Sequence, residues 1–411
     1  MAREGLKSPA LRVAARVVLV ALIVAFGYNC AVRTVDVVIY RVAASQVVHH
    51  DYDIYPKVAD GGFRYAPITA LLFVPLAFMP TAAGAALIYL FNIGALFGMS
   101  AIVLKLFRLE QQHFGRICGL AFLAAGGYII EEFQSGNVHF LVFSLAIVSF
   151  LLIERGQTLA PALLLALATA MKVTPFLFVL YFAWKGRWRL CIYTMVFLAL
   201  MFVAPAAFVG AQENTVLLKK YAESATQRLN ESRSQSLRGV LFRFLSQGTV
   251  DIGNFPALNI AALPEETVTV LWYALSAGSV VALAAVTGRR KRNSRGRTLE
   301  YALMTAAILL LSPHTLRIYF ATLFFPFAVL LALIVQSPGD AKRILIRNVL
   351  AGAFIVGTLI PLVIPGRVLS RAYEALSLHF VMALGVCVAV SVLIRSEDAA
   401  VAAGPQAEVS R

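Results

Sequence analysis

Asp36 lies just beyond the first apolar run of the chain, in the segment Arg33-Thr-Val-Asp-Val-Val-Ile-Tyr40. An ionisable residue at the edge of lipid is costly to desolvate and is therefore a functional-site candidate. A carboxylate there can accept a proton from a hydroxyl group that attacks a substrate at the membrane surface. The alternative is an ordinary solvated aspartate, and Asp51 and Asp53 are rival bases in the same polar stretch.

Basic side chains that suit a phosphate group recur in the polar segments between the apolar runs. An arginine guanidinium binds phosphate through two parallel hydrogen bonds, whereas a lysine ammonium acts as a point charge. Two alternatives stay open, because Lys172 could extend to the lipid interface on its long stem and Arg238 could be a solvated loop charge. The phosphate-binding candidates are Arg64, Lys172, Arg238 and Arg317.

Uncharged polar and aromatic side chains in the same segments are candidates for substrate binding. The tyrosines have a structural alternative, because tyrosine rings form an aromatic belt at the headgroup level. His314 follows Pro313 at a break between two apolar runs, so its ring could instead hydrogen-bond to backbone carbonyls. The candidates of this kind are Tyr40, Tyr55, Tyr65, Asn137, His139, Gln235 and His314.

Cysteine and histidine spacing predicts no metal site. Cys30, Cys118, Cys191 and Cys387 are far apart and lie in or beside apolar runs, which is typical of small buried hydrophobic residues. The six histidines form no ligand pair at helical spacing. The chain has neither a GxxxxGK[ST] loop nor a GxGxxG turn, so no nucleotide cofactor is expected.

The elements that position these residues are apolar. Of the 411 residues 60% are hydrophobic and 14% charged, and the mean hydropathy is +0.79. Many apolar runs are long enough to cross a bilayer, so the predicted class is an all-α polytopic membrane protein. Lysine and arginine exceed aspartate and glutamate by 36 to 21, giving a net charge of +15. We assign this excess to cytoplasmic loops and expect no nucleic-acid partner.

With about 20 residues taken as one span, the chain is predicted to cross the membrane about twelve times. The apolar segment 67–80, bounded by two prolines, is too short and is interpreted as an interfacial or re-entrant helix. Residues 1–394 form a single predicted domain, and residues 395–411 a disordered tail. The predicted spans are 11–31, 82–104, 117–131, 138–153, 158–171, 173–184, 190–209, 266–286, 299–312, 318–335, 348–364 and 374–394.

The predicted number of spans determines which segments face the cytoplasm and which face outside. The basic segment 287–298, which contains the cluster Arg289–Arg297, falls in the cytoplasm together with both termini, as the positive-inside rule requires. The polar loops 32–66 and 211–262 and the break 312–317 fall outside. Every candidate site residue is then on the outer face, whereas the cytoplasmic face carries only generic basic charge.

The order of the polar elements resembles that of the family 87 glycosyltransferases. The resemblance extends over about residues 30–335, with Ala66 at a position where the family usually has proline. No one motif is specific; their order on a single face carries the resemblance. The matching elements are Asp36 with Tyr40, Asp53-Ile-Tyr55, Tyr65-Ala-Pro67 with Pro75 and Pro80, Gly136-Asn137, Lys172-Val-Thr-Pro175, Gln235-Ser-Leu-Arg-Gly239 and Ser312-Pro-His314.

The resemblance implies a C-fold enzyme of the bacterial inner membrane that uses a polyprenyl-phosphate sugar. It implies transfer of a hexose, mannose by family analogy, to a glycolipid or glycan acceptor on the outer face. Asp36 would be the general base of an inverting transfer, and the basic candidates would hold the leaving phosphate. Membrane lipids are the other expected partners, and no metal or other cofactor is expected.

A twelve-span secondary transporter or lipid flippase is the alternative function. Alternating access would require polar residues on both faces and within the spans. Most mid-span positions are apolar and the polar residues gather on one predicted face, which favours the enzyme. A ligase-like transferase with a long outer loop is a third possibility, against which the early Asp36–Tyr40 element argues.

Overall fold

The computed structural model describes residues 9–55, 62–226, 233–247, 258–336, 339–363 and 372–402. These residues form helices and no strand, which confirms the all-α class. Pro9–Arg33 is α1, and the numbering follows the chain. The helices are Pro9–Arg33, Asp36–Val48, Pro67–Leu72, Val74–Ala77, Thr81–Phe107, Phe114–Ser135, His139–Glu154, Leu159–Met171, Phe176–Trp184, Trp188–Val203, Ala206–Val209, Ala211–Thr226, Leu237–Leu245, Glu265–Thr287, Ser294–Leu311, Phe324–Val335, Asp340–Phe354, Ile360–Val363 and Leu378–Ala402 (α1 to α19).

Several of these helices have the length and apolar composition of membrane spans, so the chain is a polytopic membrane protein. Among the described residues six stretches qualify singly, and α1 with α2 forms a further pair bent by 55°. Helices α7 and α8 are apolar but shorter. The predicted count of about twelve spans is therefore not confirmed. The six stretches are Thr81–Phe107, Gln111–Ser135, Trp188–Val209, Glu265–Thr287, Arg317–Val335 and Leu378–Ala399.

The helix that ends at Val335 is the centre of the bundle, and α14 is at its edge. A 3-10 turn, Arg317–Leu323, leads into α16, and 78% of this apolar stretch is buried by neighbouring helices. The corresponding share in α14 is 6%. The break that precedes α16, Ser312–Leu316, is anchored by its buried residues Ser312 and Thr315, while Pro313 is exposed.

Ion pairs join helix ends at one end of the bundle, which we call the basic end. Lys185 after α9 pairs with Glu300 of α15 at 2.8 Å. Arg297 of α15 pairs with Glu154 at the end of α7 at 2.5 Å. Arg292 contacts both Glu300 and the Asp398 carboxylate of α19. The helix ends at Arg33, Ser135 and Met171 belong to the other end, which we call the site end.

The structure corrects three details of the sequence interpretation. The polar stretch 32–66 contains a regular helix, α2, and the loop 211–262 contains α12 and α13. The C-terminal tail is not disordered from residue 395, because α19 continues as a helix to Ala402. Residues 403–411 lie outside the described residues, as do parts of both loops.

Helix α2 lies against two helices, α3 and α4, that are too short to cross a membrane. As predicted, 67–80 holds only short helices, α3 and α4, each with proline in its first turn. The Arg41 side chain of α2 donates a 3.2 Å hydrogen bond from Nε to the carbonyl of Leu76 and contacts the Thr81 hydroxyl at the start of α5. These contacts fix the direction of α2, and hence of its first residue, Asp36.

Candidate functional site

A glycine turn between α6 and α7 lies against the break between α1 and α2. The backbone N–H of Val35 donates to the carbonyl of Ser135 at 3.1 Å, and the Thr34 hydroxyl donates to the same oxygen at 3.2 Å. Gly136 has φ +72°, and a Cβ there would lie 2.3 Å from Thr34 Oγ1 and 2.6 Å from Val37 Cγ2. Only glycine permits both this conformation and this approach.

Asn137, the next residue, binds the Asp36 carboxylate. Its Nδ2 donates to Asp36 Oδ2 at 2.7 Å, while its Oδ1 accepts from the backbone N–H of His139 at 2.8 Å. Asn92 of α5 donates a 3.1 Å hydrogen bond to the Asn137 carbonyl. The amide is thus held on both sides, and it fixes one oxygen of a half-buried carboxylate at the site end.

Lys172 lies between α8 and α9, where the chain is extended with φ −150° and ψ 126°. Pro175 three residues later cannot donate a backbone hydrogen bond, so the two helices do not merge. The Lys172 ammonium lies 3.1 Å from the centre of the Tyr319 ring. Burial lowers the pKa of Lys172 to about 7, and the negative charges of Glu132 and Asp36 act against this shift.

His314 is surrounded by positive charge. Burial, together with the positive charges of Arg64, Lys172 and Arg238, lowers the pKa of the imidazole to about 4. The ring is therefore neutral at physiological pH. Four sequence candidates from four separate segments are brought together here. An array of three cations with a neutral imidazole suits an anion such as a phosphate.

The three predicted tyrosines form one cluster beside Asp36. Tyr40 and Tyr65 join their hydroxyl groups at 3.1 Å, and the Tyr55 hydroxyl donates to the Tyr65 carbonyl at 2.7 Å. Tyr40 also stacks on Phe73 of the α3–α4 junction, with ring centres 4.6 Å apart. These mutual contacts hold the segment between α2 and α3 against α2.

His139 and Tyr319 lie under Lys172. The His139 ring is buried and packs on Tyr319 with ring centres 4.3 Å apart. The Lys172 ammonium contacts the same Tyr319 ring. The predicted role of His139 in binding substrate stays a prediction; the observed role is support of the ring that carries Lys172.

Gln235 is buried and holds the Ser312–Leu316 break in place. Its backbone N–H donates to the Thr315 carbonyl at 2.7 Å, and its Nε2 donates to the Glu374 carbonyl at 2.9 Å. Arg238, three residues further on, lies about 5 Å from the ring centres of Phe242 and Trp272. The segment Gln235-Ser-Leu-Arg-Gly239 therefore connects the chain around His314 to α13 and α14.

Arg317, another predicted phosphate ligand, forms an ion pair at the start of the 3-10 turn. Its Nε donates to Glu131 Oε2 at 2.7 Å, and the same carboxylate forms an ion pair with its second nitrogen. A carboxylate thus balances its charge. The rival bases are at the surface: Asp53 is 70% exposed in an ion pair with Lys220, and the Asp51 carboxylate accepts from Gln46.

Glu132 is the main site residue that the sequence interpretation missed. It is fully buried, its Oε1 accepts from the Phe140 N–H at 2.9 Å, and its charge acts on Lys172. A pair of glutamates before Gly136 was the available signal, but the spacing does not show which one points inward. Asn92 and Tyr319 were also missed, because a lone polar residue in an apolar helix has no distinctive pattern.

Comparison with known protein families identifies the class of this chain. The model of glycosyltransferase family 87 matches residues 63–313. The match covers more than half of the chain, and it includes Lys172, Arg238 and the chain up to Pro313 while leaving Asp36 outside. The chain therefore belongs to glycosyltransferase family 87. Searches of curated proteins and of solved structures gave no match.

Proposed function

We propose that this membrane glycosyltransferase moves one hexose, with mannose as the first choice, from a polyprenyl-phosphate sugar to a glycolipid or glycan acceptor. The proposed reaction takes place at the site end, on the outer face of a bacterial inner membrane, with both termini in the cytoplasm. The observation that carries the proposal is the Asp36 carboxylate, held by Asn137, beside the buried cation Lys172.

Asp36 acts as the general base in this proposal. The acceptor hydroxyl attacks the anomeric carbon of the donor while Asp36 removes the hydroxyl proton, and the bond from that carbon to the phosphate oxygen breaks. Attack from the face opposite to the leaving group inverts the anomeric configuration and needs no covalent enzyme intermediate. Asn137 binds Oδ2 of Asp36, and in this proposal Oδ1 accepts the proton.

Lys172, Arg64 and Arg238 stabilise the departing phosphate. As the glycosidic bond breaks, negative charge develops on the phosphate oxygens, and cations already in place stabilise that charge. The neutral His314 ring, which all three charges affect, can donate or accept one hydrogen bond without adding charge. Polyprenyl phosphate is a good leaving group that these cations can stabilise, so the proposal includes no metal ion.

Family membership and the one-sided site favour this enzyme over a secondary transporter or flippase. The candidate side chains from the α1–α2, α6–α7, α8–α9 and α15–α16 junctions meet at one end. The basic end contains ion pairs that close helix ends against one another. Alternating access would need a comparable polar site reached from the second end.

The purified protein in liposomes tests the proposal. Labelled polyprenyl-phosphate mannose and polyprenyl-phosphate glucose are offered separately with membrane lipid extract, and a new labelled glycolipid is the expected product. The Asp36→Asn protein is the matched control. Activity with nucleotide sugars alone would reject the polyprenyl donor, and movement of the lipid without sugar transfer would support the flippase.

A further inference from the structure

An apolar groove opens on the basic end of the bundle, away from the candidate site. It lies between α6 and α17, its floor is the last turn of α16, and its volume is about 380 Å³. Two of its twelve lining residues are arginines, Arg116 and Arg347, and the other ten are apolar. Arg116 lies eleven residues before Gly127 on α6, and Arg347 lies ten residues before Gly357, which is close to Gly127, so the two arginines occupy the same end of the groove.

The groove follows one face of each helix. Arg116, Leu120 and Ala124 recur at intervals of four on α6, and Arg347, Ala351 and Phe354 recur at intervals of four and three on α17. These intervals place each set on one helix face. Each row begins with a guanidinium and continues with apolar side chains, which is the order of a charged headgroup followed by a hydrocarbon chain.

Close packing of α6 against the π-helical turn Ile355–Leu359, which directly follows α17, closes the groove at its inner end. The Gly127 N–H donates a 3.2 Å hydrogen bond to the Thr358 hydroxyl, and a Cβ on Gly127 would lie 2.1 Å from the Gly357 carbonyl oxygen. The groove opens between α6 and α17 on the Arg116 and Arg347 side of this contact. At 1.5 Å per residue, Arg116 to Ala124 spans about 12 Å, less than half of a hydrocarbon core of about 30 Å.

The two arginines have charge available for a ligand. Both are exposed, and neither forms an ion pair or a side-chain hydrogen bond with another residue in the described ranges. The groove lining contains no acidic residue. Two other guanidinium groups of the basic end, those of Arg292 and Arg297, are paired with carboxylates. The positive charge at the groove mouth is therefore available to bind an anion from outside the protein.

We propose that this groove is a binding site for an anionic glycerophospholipid of the leaflet at the basic end. The phosphate binds between Arg116 and Arg347, because guanidinium groups bind phosphate oxygens through paired hydrogen bonds. One acyl chain packs along Leu120, Ala124 and Ala351. Basic pockets between membrane helices recognise lipid headgroups in this way. The proposal is independent of the transfer reaction, because the two sites lie at opposite ends of the bundle.

Lipid titrations of the full-length protein in non-ionic detergent test the proposal. Phosphatidylglycerol should raise the midpoint of thermal unfolding at lower concentrations than phosphatidylcholine does, because a ligand that binds the folded state stabilises it. The double variant Arg116→Ala/Arg347→Ala should lose about 30-fold in apparent affinity for phosphatidylglycerol, taking each basic residue near a lipid surface as contributing about 1 kcal/mol. The response of the double variant to phosphatidylcholine should equal that of the unmodified protein.

Two further variants separate the groove from general charge. Arg155→Ala/Arg189→Ala removes the same charge from exposed positions outside the groove and should keep the preference for phosphatidylglycerol. Ala351→Trp fills the groove while keeping both arginines, and it should abolish the preference. Equal responses of the unmodified protein to the two lipids would overturn the proposal. Retention of the preference by Arg116→Ala/Arg347→Ala would overturn it as well.

Discussion

Asn137 Nδ2 lies 2.7 Å from Asp36 Oδ2, in a hydrogen bond that joins residues 101 positions apart. The bond connects the turn after α6 to the first residue of α2, and Asn92 holds Asn137 from the side of α5. A carboxylate at the edge of a membrane span is thus fixed by three helices. This rigidity is what a base needs if it is to meet one hydroxyl group in one orientation.

Replacement of Asp36 by asparagine should stop transfer. The amide keeps the shape of the side chain but cannot accept a proton, so loss of general-base assistance should lower the turnover rate by about 10²–10⁴-fold. Folding and donor binding should change little, because the half-buried position still holds a polar side chain of the same size. Turnover with labelled donor and the thermal unfolding midpoint measure the two effects.

Asp53→Asn is the matched control for this change. Asp53 lies in the same polar segment between α1 and α5, but it is 70% exposed and pairs with Lys220, so its loss should leave turnover within about twofold. The assignment of the base is wrong if Asp36→Asn keeps more than a tenth of the turnover while Asp53→Asn or Asp51→Asn is inactive.

Replacement of Gly136 by alanine should disrupt the site through the backbone. A Cβ at this position would clash with Thr34 Oγ1 and Val37 Cγ2, and the residue would keep a left-handed conformation. Overpacking and left-handed strain together should cost about 2 to 4 kcal/mol. The turn carries Asn137, which holds the proposed base Asp36. We therefore expect the turnover rate to fall by at least as large a factor as the donor affinity.

Gly186→Ala provides the comparison for this prediction. Gly186 also has φ +72°, but no atom lies within 4 Å of a Cβ built there. The variant should lose only the conformational term of about 1 kcal/mol and keep its turnover. If both variants lower the unfolding midpoint and the turnover equally, the close approach at Gly136 is unimportant for the site.

The class of the fold and the gathering of the site could be predicted from sequence because both depend on patterns along the chain. Apolar runs separated by basic segments predict helices and their sidedness. Asp36, Asn137, Lys172 and His314 each follow the end of such a run at the same predicted face, and the structure brings all four to one end. The number of spans could not be predicted from sequence in this way, because short apolar helices such as α8 do not match the fixed length assumed for one span.

Helix α2 and the pairing of Arg317 are two features that the sequence interpretation did not predict. The buried residues Val37, Tyr40, Ala44 and Val47 of α2 recur at intervals of three and four, a helical pattern that the polar surroundings concealed. Arg317 pairs with Glu131, 186 residues away, and no local spacing indicates such a contact. The helical pattern is present in the sequence, whereas the ion pair can be found only in the packed structure.

The pKa of Lys172 predicts how the rate depends on pH. Because burial lowers that pKa to about 7, the ammonium is present below this pH and is lost as the pH rises through it. If the ammonium holds the donor phosphate, kcat/KM should fall above about pH 7, since kcat/KM reports the ionisation of the free enzyme. His314, with a pKa of about 4, should add no step between pH 5 and pH 9.

Lys172→Arg identifies the group that causes this decline. An arginine stays protonated in the same position, so kcat/KM of the variant should vary little between pH 7 and pH 9 even if its maximum is lower. Lys172→Met should lose donor affinity mainly below about pH 7, where the unmodified protein carries the ammonium. An unchanged alkaline decline in Lys172→Arg would assign the step to another group and remove Lys172 from the proposed phosphate site.

Labelling of single introduced cysteines tests the orientation of the two ends. The four native cysteines are buried and unpaired, so they should react little with a membrane-impermeant maleimide. Asp51 near the site end and Lys291 at the basic end are both exposed, and each can be replaced by cysteine. The positive-inside rule places Lys291 in the cytoplasm. In intact cells Asp51→Cys should therefore be labelled and Lys291→Cys should be labelled only after permeabilisation. Labelling of both in intact cells would refute the predicted topology, and labelling of Lys291→Cys alone would move the site, and with it the proposed donor, to the cytoplasmic face.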